Sequence, residues 1–160
     1  MIWHQNPQFK AKVKMDSFHF VKAKTKKDLE KFYGVMKELR TDLSFSDYLN
    51  IYENANAADG YEIVALENDN KVLAVMGYRV LYDFVHGKHL YIDDLVSTES
   101  FRSKGLGARL LNHAEDLAKN LGCNGLRLCT GIENEMGKKF YERHGWKLRA
   151  VAFKKKLIAK

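Results

Sequence analysis

Arg102, Ser103, Lys104, Gly105, Leu106 and Gly107 bring two cations and two glycines together, between an apolar run ending at Val96 and a leucine-rich segment beginning at Leu106. Residues of these types at this spacing suit an anion. Where a helix begins, the first backbone N–H groups lack carbonyl partners and the helix dipole adds positive potential, so phosphate oxygens bind there. Gly105 and Gly107 let the backbone approach such oxygens with no Cβ in the way, and Arg102 and Lys104 can add charge-assisted contacts. Two better-known phosphate loops do not match. The chain has no GxxxxGK(S/T) arrangement, and Leu110 stands where a dinucleotide fingerprint needs its third glycine.

Other reactive side chains are fewer. Asp93 and Asp94 are adjacent in the apolar run "LYIDDLV", where a regular strand would send them to opposite faces and only a bulge would turn both one way. His113 and His144 have no partners at ligand or triad spacing, while His86 and His89 flank a turn at Gly87 and could rim a site. Cys123 and Cys129 match no zinc pattern and are too few for a disulfide framework, so buried, reduced thiols are expected. No metal is implied.

These residues are positioned by alternating patterns of strand and helix. Phe18 to Thr25 alternates as a strand, and residues 25–39 switch to helical spacing with Leu29, Phe32, Val35, Met36 and Leu39 on one face and Thr25 as N-cap, paired with Asp28. A second helix covers 44–58, two strands turn at Glu67 to Asn70, and another runs from Gly87 to Ser97, as antiparallel neighbours. After the glycines, Leu106, Leu110, Ala114, Leu117 and Leu121 form an apolar stripe ending at Gly122 as C-cap. "GLRLCTG" is a short strand, 134–145 a short helix between Asn134 as N-cap and Gly145 as C-cap, and "WKLRAVAFKKKL" a last strand. The order predicts an α/β chain with a mixed (α+β) sheet.

The 160 residues suit one domain, expected over 17–160, with 1–16 as a mobile N-terminal extension. Neither a signal peptide nor a run of about 18 apolar residues is present, so a cytoplasmic protein with no membrane partner is expected. A formal charge of +7 and a pI near 9.3 favour anionic ligands. The lysine-rich runs lack the aromatic interleaving of a nucleic-acid surface, and nucleic acid is not the expected partner.

Taken together, "LYIDDLVSTESFRSKGLGARLL" resembles the strand, loop and helix unit of the GNAT superfamily of acyl-CoA-dependent N-acetyltransferases, whose loop reads Gln/Arg-x-x-Gly-x-Gly/Ala. "ENEMGKKFYERHGW" resembles that family's second motif through Asn134, Phe140, Tyr141 and Gly145, with Gly137 where the family prefers alanine and Trp146 where it has phenylalanine. The resemblance implies a mostly antiparallel twisted sheet, splayed at an acyl-CoA site and flanked by helices. It implies that the backbone of Lys104, Gly105, Leu106, Gly107 and Ala108, with Arg102 and Ser103 beside it, holds the CoA pyrophosphate. Leu95, Val96 and Ser97 would offer backbone groups to the pantetheine arm, which Asn134 would also face.

Acetyl transfer from a thioester to an amine needs an uncharged nitrogen, donors for a developing oxyanion and a proton for the leaving thiolate. The resemblance casts Tyr141 as the general acid near the sulfur and a backbone N–H of the strand as the carbonyl's polariser. "YIDDL" resembles a segment of small-amine, including diamine, acetyltransferases in which the first acid matches Asp93. Asp93 is then the expected base and Asp94 a group that orients or attracts a cationic amine, although many relatives use a water chain instead. The activity implied is acetylation of a primary amine, probed against two alternatives: a protein-lysine or N-terminal acceptor, and a non-catalytic acyl-CoA sensor. Small members of the family often dimerise through edge strands, and the last strand here would serve for a homodimer.

Overall fold

A computed structural model describes residues 17–157 of the chain, so the extension expected over 1–16 lies outside the described residues. The elements are β1 (His19–Lys22), α1 (Lys26–Leu39), α2 (Phe45–Asp59), β2 (Glu62–Asn68), β3 (Lys71–Asp83), β4 (Gly87–Ser97), α3 (Leu106–Asn120), β5 (Gly125–Leu128) and α4 (Glu135–Arg143). The five strands lie in chain order in one sheet, antiparallel from β1 to β4 and parallel between β4 and β5. This is the mixed, mostly antiparallel sheet that the element order predicts.

Local chemistry accounts for most boundaries. Thr25 closes a capping box with Asp28 at the start of α1. Asp69 and Asn70 take φ of 48° and 60°, and a two-residue turn with both φ positive matches the twist of the β2–β3 hairpin. That turn is shorter than expected, because Glu67 stays in β2 with only 2% exposure, where its carboxylate accepts from Lys31 Nζ at 2.6 Å. Burial of this charge is tolerated because it is paired.

Each face of the sheet carries its own core. Leu29, Phe32, Val35 and Met36 of α1 and Tyr48 of α2 pack with Ile63, Ala65 and Val75 on one face. Leu106, Leu110, Leu111, Ala114 and Ala118 of α3 pack with Leu66, Met76, Leu90 and Ile92 on the other. Two residues expected on these stripes are exposed: Leu39, which ends α1, and Leu121, the C-cap of α3. The glycines expected as caps, Gly122 at φ 67° and Gly145 at φ 82°, each stand one residue beyond the observed caps, Leu121 of α3 and His144 of α4.

The expected last strand is absent: residues 146–157 adopt neither helix nor strand. Its apolar side chains fall on both parities, Leu148 against Val151 and Phe153, so a single buried face cannot satisfy them. The cysteines are free, but Cys129 is exposed and Cys123 only half-buried, unlike the buried pair expected.

Burial shapes the response to alkali. Tyr48, Tyr61, Tyr78 and Tyr141 all have phenols pushed above their ordinary 10.0, with desolvation the largest cause in each. Unfolded phenols ionise first, so the unfolded state binds fewer protons in this window and stability falls as pH rises. Denaturant unfolding should give level stability up to about pH 10 and a decline above it as pH rises toward the folded-state values.

Candidate active site

The register of β3 on β4 shifts between Gly77 and Tyr78: Gly77 faces Asp94, Tyr78 faces Ile92, and Asp93 is the extra residue of a bulge. Through that bulge both acids reach one constellation. Asp93 accepts from Arg79 Nε at 2.8 Å and Nη2 at 2.9 Å, a bidentate pair. Asp94 accepts from the Tyr61 hydroxyl at 2.7 Å through Oδ2 and from Arg40 Nε at 2.8 Å through Oδ1. Arg79 also reaches Asp59 at 2.7 Å and lies 5.5 Å from the Tyr61 ring centroid.

Gly77 makes this possible. A Cβ there would stand 1.9 Å from the Tyr61 oxygen and 2.9 Å from Asp94 Oδ2, so only glycine admits the Tyr61–Asp94 bond. Beside it, Arg40 lines an open depression of about 420 Å³ formed by residues 39–43.

Helix α3 starts differently from the other three α-helices of the described residues. Side chains of Thr25, Ser44 and Asn134 cap α1, α2 and α4, whose first turns carry Asp28, Asp47 and Glu135. Gly105, the N-cap of α3, sits at φ 78° with no side-chain cap, and no acid follows in the first turn. The leading N–H groups of Leu106, Gly107 and Ala108 therefore keep their donor capacity for an anion. Ser103 takes φ 61°, turning the loop before the helix. Lys104 Nζ stands 4.4 Å from the Phe101 ring centroid, and Arg102 reaches Glu38 at 3.8 Å. Glu38 itself accepts from Thr98 Oγ1 and the Glu99 N–H, both at 2.7 Å, which ties this loop to α1.

Strands β4 and β5 pair only from His89 with Gly125 to Ile92 with Leu128. Beyond Ile92, β4 continues through Leu95, Val96 and Ser97 against β3 alone, leaving its other edge unpaired. That unpaired edge offers backbone donors and acceptors to an extended ligand. The residues thus fit acyl-CoA: an uncapped helix start for its phosphates and an open strand edge for its amide-bearing arm.

Helix α4 flanks this region. A Cβ on Gly107 would stand 3.0 Å from Phe140 Cζ, so the glycine lets α3 and α4 approach. The adjacent Tyr141 packs with Phe140 and Trp146 at ring separations of 5.2 and 6.1 Å. Burial raises its phenol above 10.0, keeping it protonated at neutral pH. Asn134 spends its side chain locally, accepting from the Gly137 N–H and donating to Thr130 Oγ1, both at 2.9 Å. An alanine at 137 would require the Asn134 side chain to shift away from its Cβ.

The histidines lie elsewhere. His86 and His89 gather at the β3–β4 hairpin around Asp83, His113 stacks on Phe20 at 3.9 Å, and His144 Nδ1 contacts the Phe140 carbonyl at 2.7 Å. Sequence reading missed Arg40, Tyr61, Gly77 and Arg79. A glycine inside an apolar strand was the available signal, since it marks a close approach by another group.

Residues 25–146 match the model of the Acetyltransferase (GNAT) family. The chain is 31% identical over 138 residues to the uncharacterized N-acetyltransferase YhdJ of Bacillus subtilis (strain 168), covering 86% of this chain and 97% of that protein. It is 24% identical over 144 residues to thialysine N-epsilon-acetyltransferase of Bos taurus, covering 81% and 84%. Among solved structures, the aminoglycoside N-acetyltransferase AAC(6')-Iy in complex with CoA superposes with a TM-score of 0.75 at 20% identity, over 88% of this chain and 95% of that one. An uncapped helix after a divergent strand, with a family match that spans both, leads to one assignment: the chain belongs to the GNAT family and is an acyl-CoA-dependent N-acetyltransferase.

Proposed function

We propose that this enzyme transfers the acetyl group of acetyl-CoA directly to the primary amine of a small cationic acceptor. The observation that carries this reading is the bulge at Asp93, which brings Asp93 and Asp94 together beside the point where β4 leaves β5. Acetyl-CoA supplies the activated acyl group. Its phosphates are held by the N–H groups of Lys104 to Ala108 with Arg102 and Ser103, and its arm by Leu95, Val96 and Ser97. Tyr141 delivers a proton to the leaving sulfur, a role for which its desolvated phenol is suited.

On the acceptor side, both Asp93 oxygens already accept from Arg79. Asp93 therefore serves as proton acceptor when the incoming amine takes over one of these bonds, which couples binding to activation. Asp94, held by Tyr61 and Arg40, orients the amine. Among the described residues, the carboxylates of Asp59, Asp93 and Asp94 form ion pairs with the guanidiniums of Arg40 and Arg79, three negative charges against two positive, which leaves a charge suited to a single ammonium. In this reading one single domain over 17–160 works in the cytoplasm, with acetyl-CoA and an amine as ligands and neither nucleic acid nor a membrane surface as partner.

Thiol release from acetyl-CoA across a panel of amines tests the reading. Acceptors with one ammonium should exceed linear polyamines by about tenfold in kcat/KM, a difference of about 1.4 kcal/mol. A polyamine preference would contradict the charge count, and no turnover with any amine despite acetyl-CoA binding would favour a sensor. Gly77→Ala should lower kcat/KM for the amine by tenfold or more, on the order of 1.4 kcal/mol, because its Cβ displaces Tyr61 from Asp94. Calorimetric affinity for acetyl-CoA should be unchanged.

A further inference from the structure

Helix α2 fully buries a single side chain, that of Tyr48, which is 4% exposed. Its ring packs in an aromatic group, 5.3 Å from the Tyr33 centroid and 6.3 Å from that of Phe45. Phenylalanine would serve that packing equally well. The hydroxyl is what needs a reason.

Among the described residues, three buried side-chain atoms make no hydrogen bond: Tyr48 Oη, Glu67 Oε1 and His89 Nε2. Two of them have ionic surroundings that account for them. Glu67 is paired through its other oxygen with Lys31 at 2.6 Å, and His89 Nε2 lies 3.7 Å from Asp83 Oδ2. Tyr48 has no ion pair to account for its hydroxyl. The tyrosines near it are already spent, since Tyr33 donates to the Leu43 carbonyl and Tyr61 to Asp94 Oδ2, both at 2.7 Å. A buried hydroxyl without a partner destabilises a fold, and native proteins keep few of them.

Its place in the fold links this hydroxyl to the two acids. Leu43, fixed by Tyr33, lines the open depression together with Arg40, and Arg40 pairs with Asp94 at 2.6 Å. Tyr48 touches Tyr33 on one side and shares a buried cluster with Tyr61 on the other. The three tyrosines thus run from the rim of the depression to Asp94. Burial first, then Tyr52 and the charge of Asp94, hold the Tyr48 phenol protonated.

Resting on the acceptor site proposed above, we propose that the Tyr48 hydroxyl is the third acceptor for the substrate's ammonium, beside Asp93 and Asp94, and selects primary over N-methylated amines. A primary ammonium presents three N–H donors. The two carboxylates meet two of them, and a neutral hydroxyl meets the third without altering the charge balance of the site. When one proton passes to Asp93, the two N–H groups left on nitrogen still have Asp94 and Tyr48 to bond. An N-methylated amine has one N–H fewer and leaves Tyr48 without a partner, the kind of loss that a polar site rejects.

Steady-state acetylation by the wild type and Tyr48→Phe, using an accepted primary amine and its N-methyl analogue, tests the proposal. Tyr48→Phe should raise KM for the primary amine about tenfold, change kcat by less than about twofold and leave calorimetric affinity for acetyl-CoA unchanged. For the analogue, KM, or the inhibition constant where it is not acetylated, should move by less than about twofold. The thermal midpoint should not fall, because no bond within the fold is lost. An unchanged KM for the primary amine overturns the proposal, as does an equal rise for both amines. A lowered midpoint also overturns it, since the hydroxyl would then be bonded within the fold. A wild type that binds acetyl-CoA but acetylates no amine removes the acceptor reading itself, and this proposal with it.

Discussion

Replacing Tyr141 by phenylalanine should lower kcat by about a hundredfold, the scale of losing a positioned general acid, while acetyl-CoA affinity changes by less than about twofold. The ring contacts with Phe140 and Trp146 survive the change, since both are made by the aromatic face or edge and not by the hydroxyl. Stability should change little, because removing the hydroxyl leaves no hydrogen-bond partner unpaired. Stopped-flow thiol release, compared with calorimetric binding, separates chemistry from affinity. A purely structural Tyr141 would leave kcat nearly untouched. The pH profile gives a further check: with the phenol raised by burial, activity should persist well above neutral pH before its ionisation removes the acid.

Ala108→Glu should act with opposite signs on stability and on binding. The residue lies in the first turn of α3, the one α-helix of the described residues whose N-cap makes no side-chain bond and whose first turn lacks an acid. A carboxylate there complements the helix dipole and should stabilise the fold by about 0.3–1 kcal/mol. On the proposed reading the same charge occupies the seat of the CoA phosphates, and affinity should fall by at least about thirtyfold, near 2 kcal/mol. Ala108→Gln, alike in size but neutral, should cost far less affinity. Equal losses from both variants would point to bulk and not to charge. Opposite signs on stability and affinity would mark the uncapped helix start as a stability deficit accepted for binding.

Much of this organisation was legible in the sequence, and the exceptions have physical causes. Capping signals at Thr25 and Asn134, the Asp69–Asn70 turn and the α3 stripe from Leu106 to Ala114 are local, so residue types alone declared them. The adjacent acids were legible too, with a bulge only as the condition for both to face one way, and the register shift at Asp93 meets that condition. Their partners were not. Arg40 and Arg79 lie 54 and 14 residues from Asp94 and Asp93, and Tyr61 lies 33 residues from Asp94, separations that only the folded sheet closes. The C-terminal arm failed for a different reason: strand propensity was visible, but Leu148 against Val151 and Phe153 put apolar side chains on both parities, which one buried sheet face cannot satisfy.

The direct-transfer account meets its plainest test in a single-turnover experiment with stoichiometric enzyme and acetyl-CoA, followed by intact-protein mass and thiol release. Without an amine, the protein should keep its unmodified mass and release no thiol. On addition of an accepted amine, one thiol should appear for each acetylated amine formed. A protein heavier by one acetyl group, formed as fast as turnover, would contradict direct transfer. Bound acetyl-CoA that no amine discharges would contradict the proposed acceptor chemistry itself.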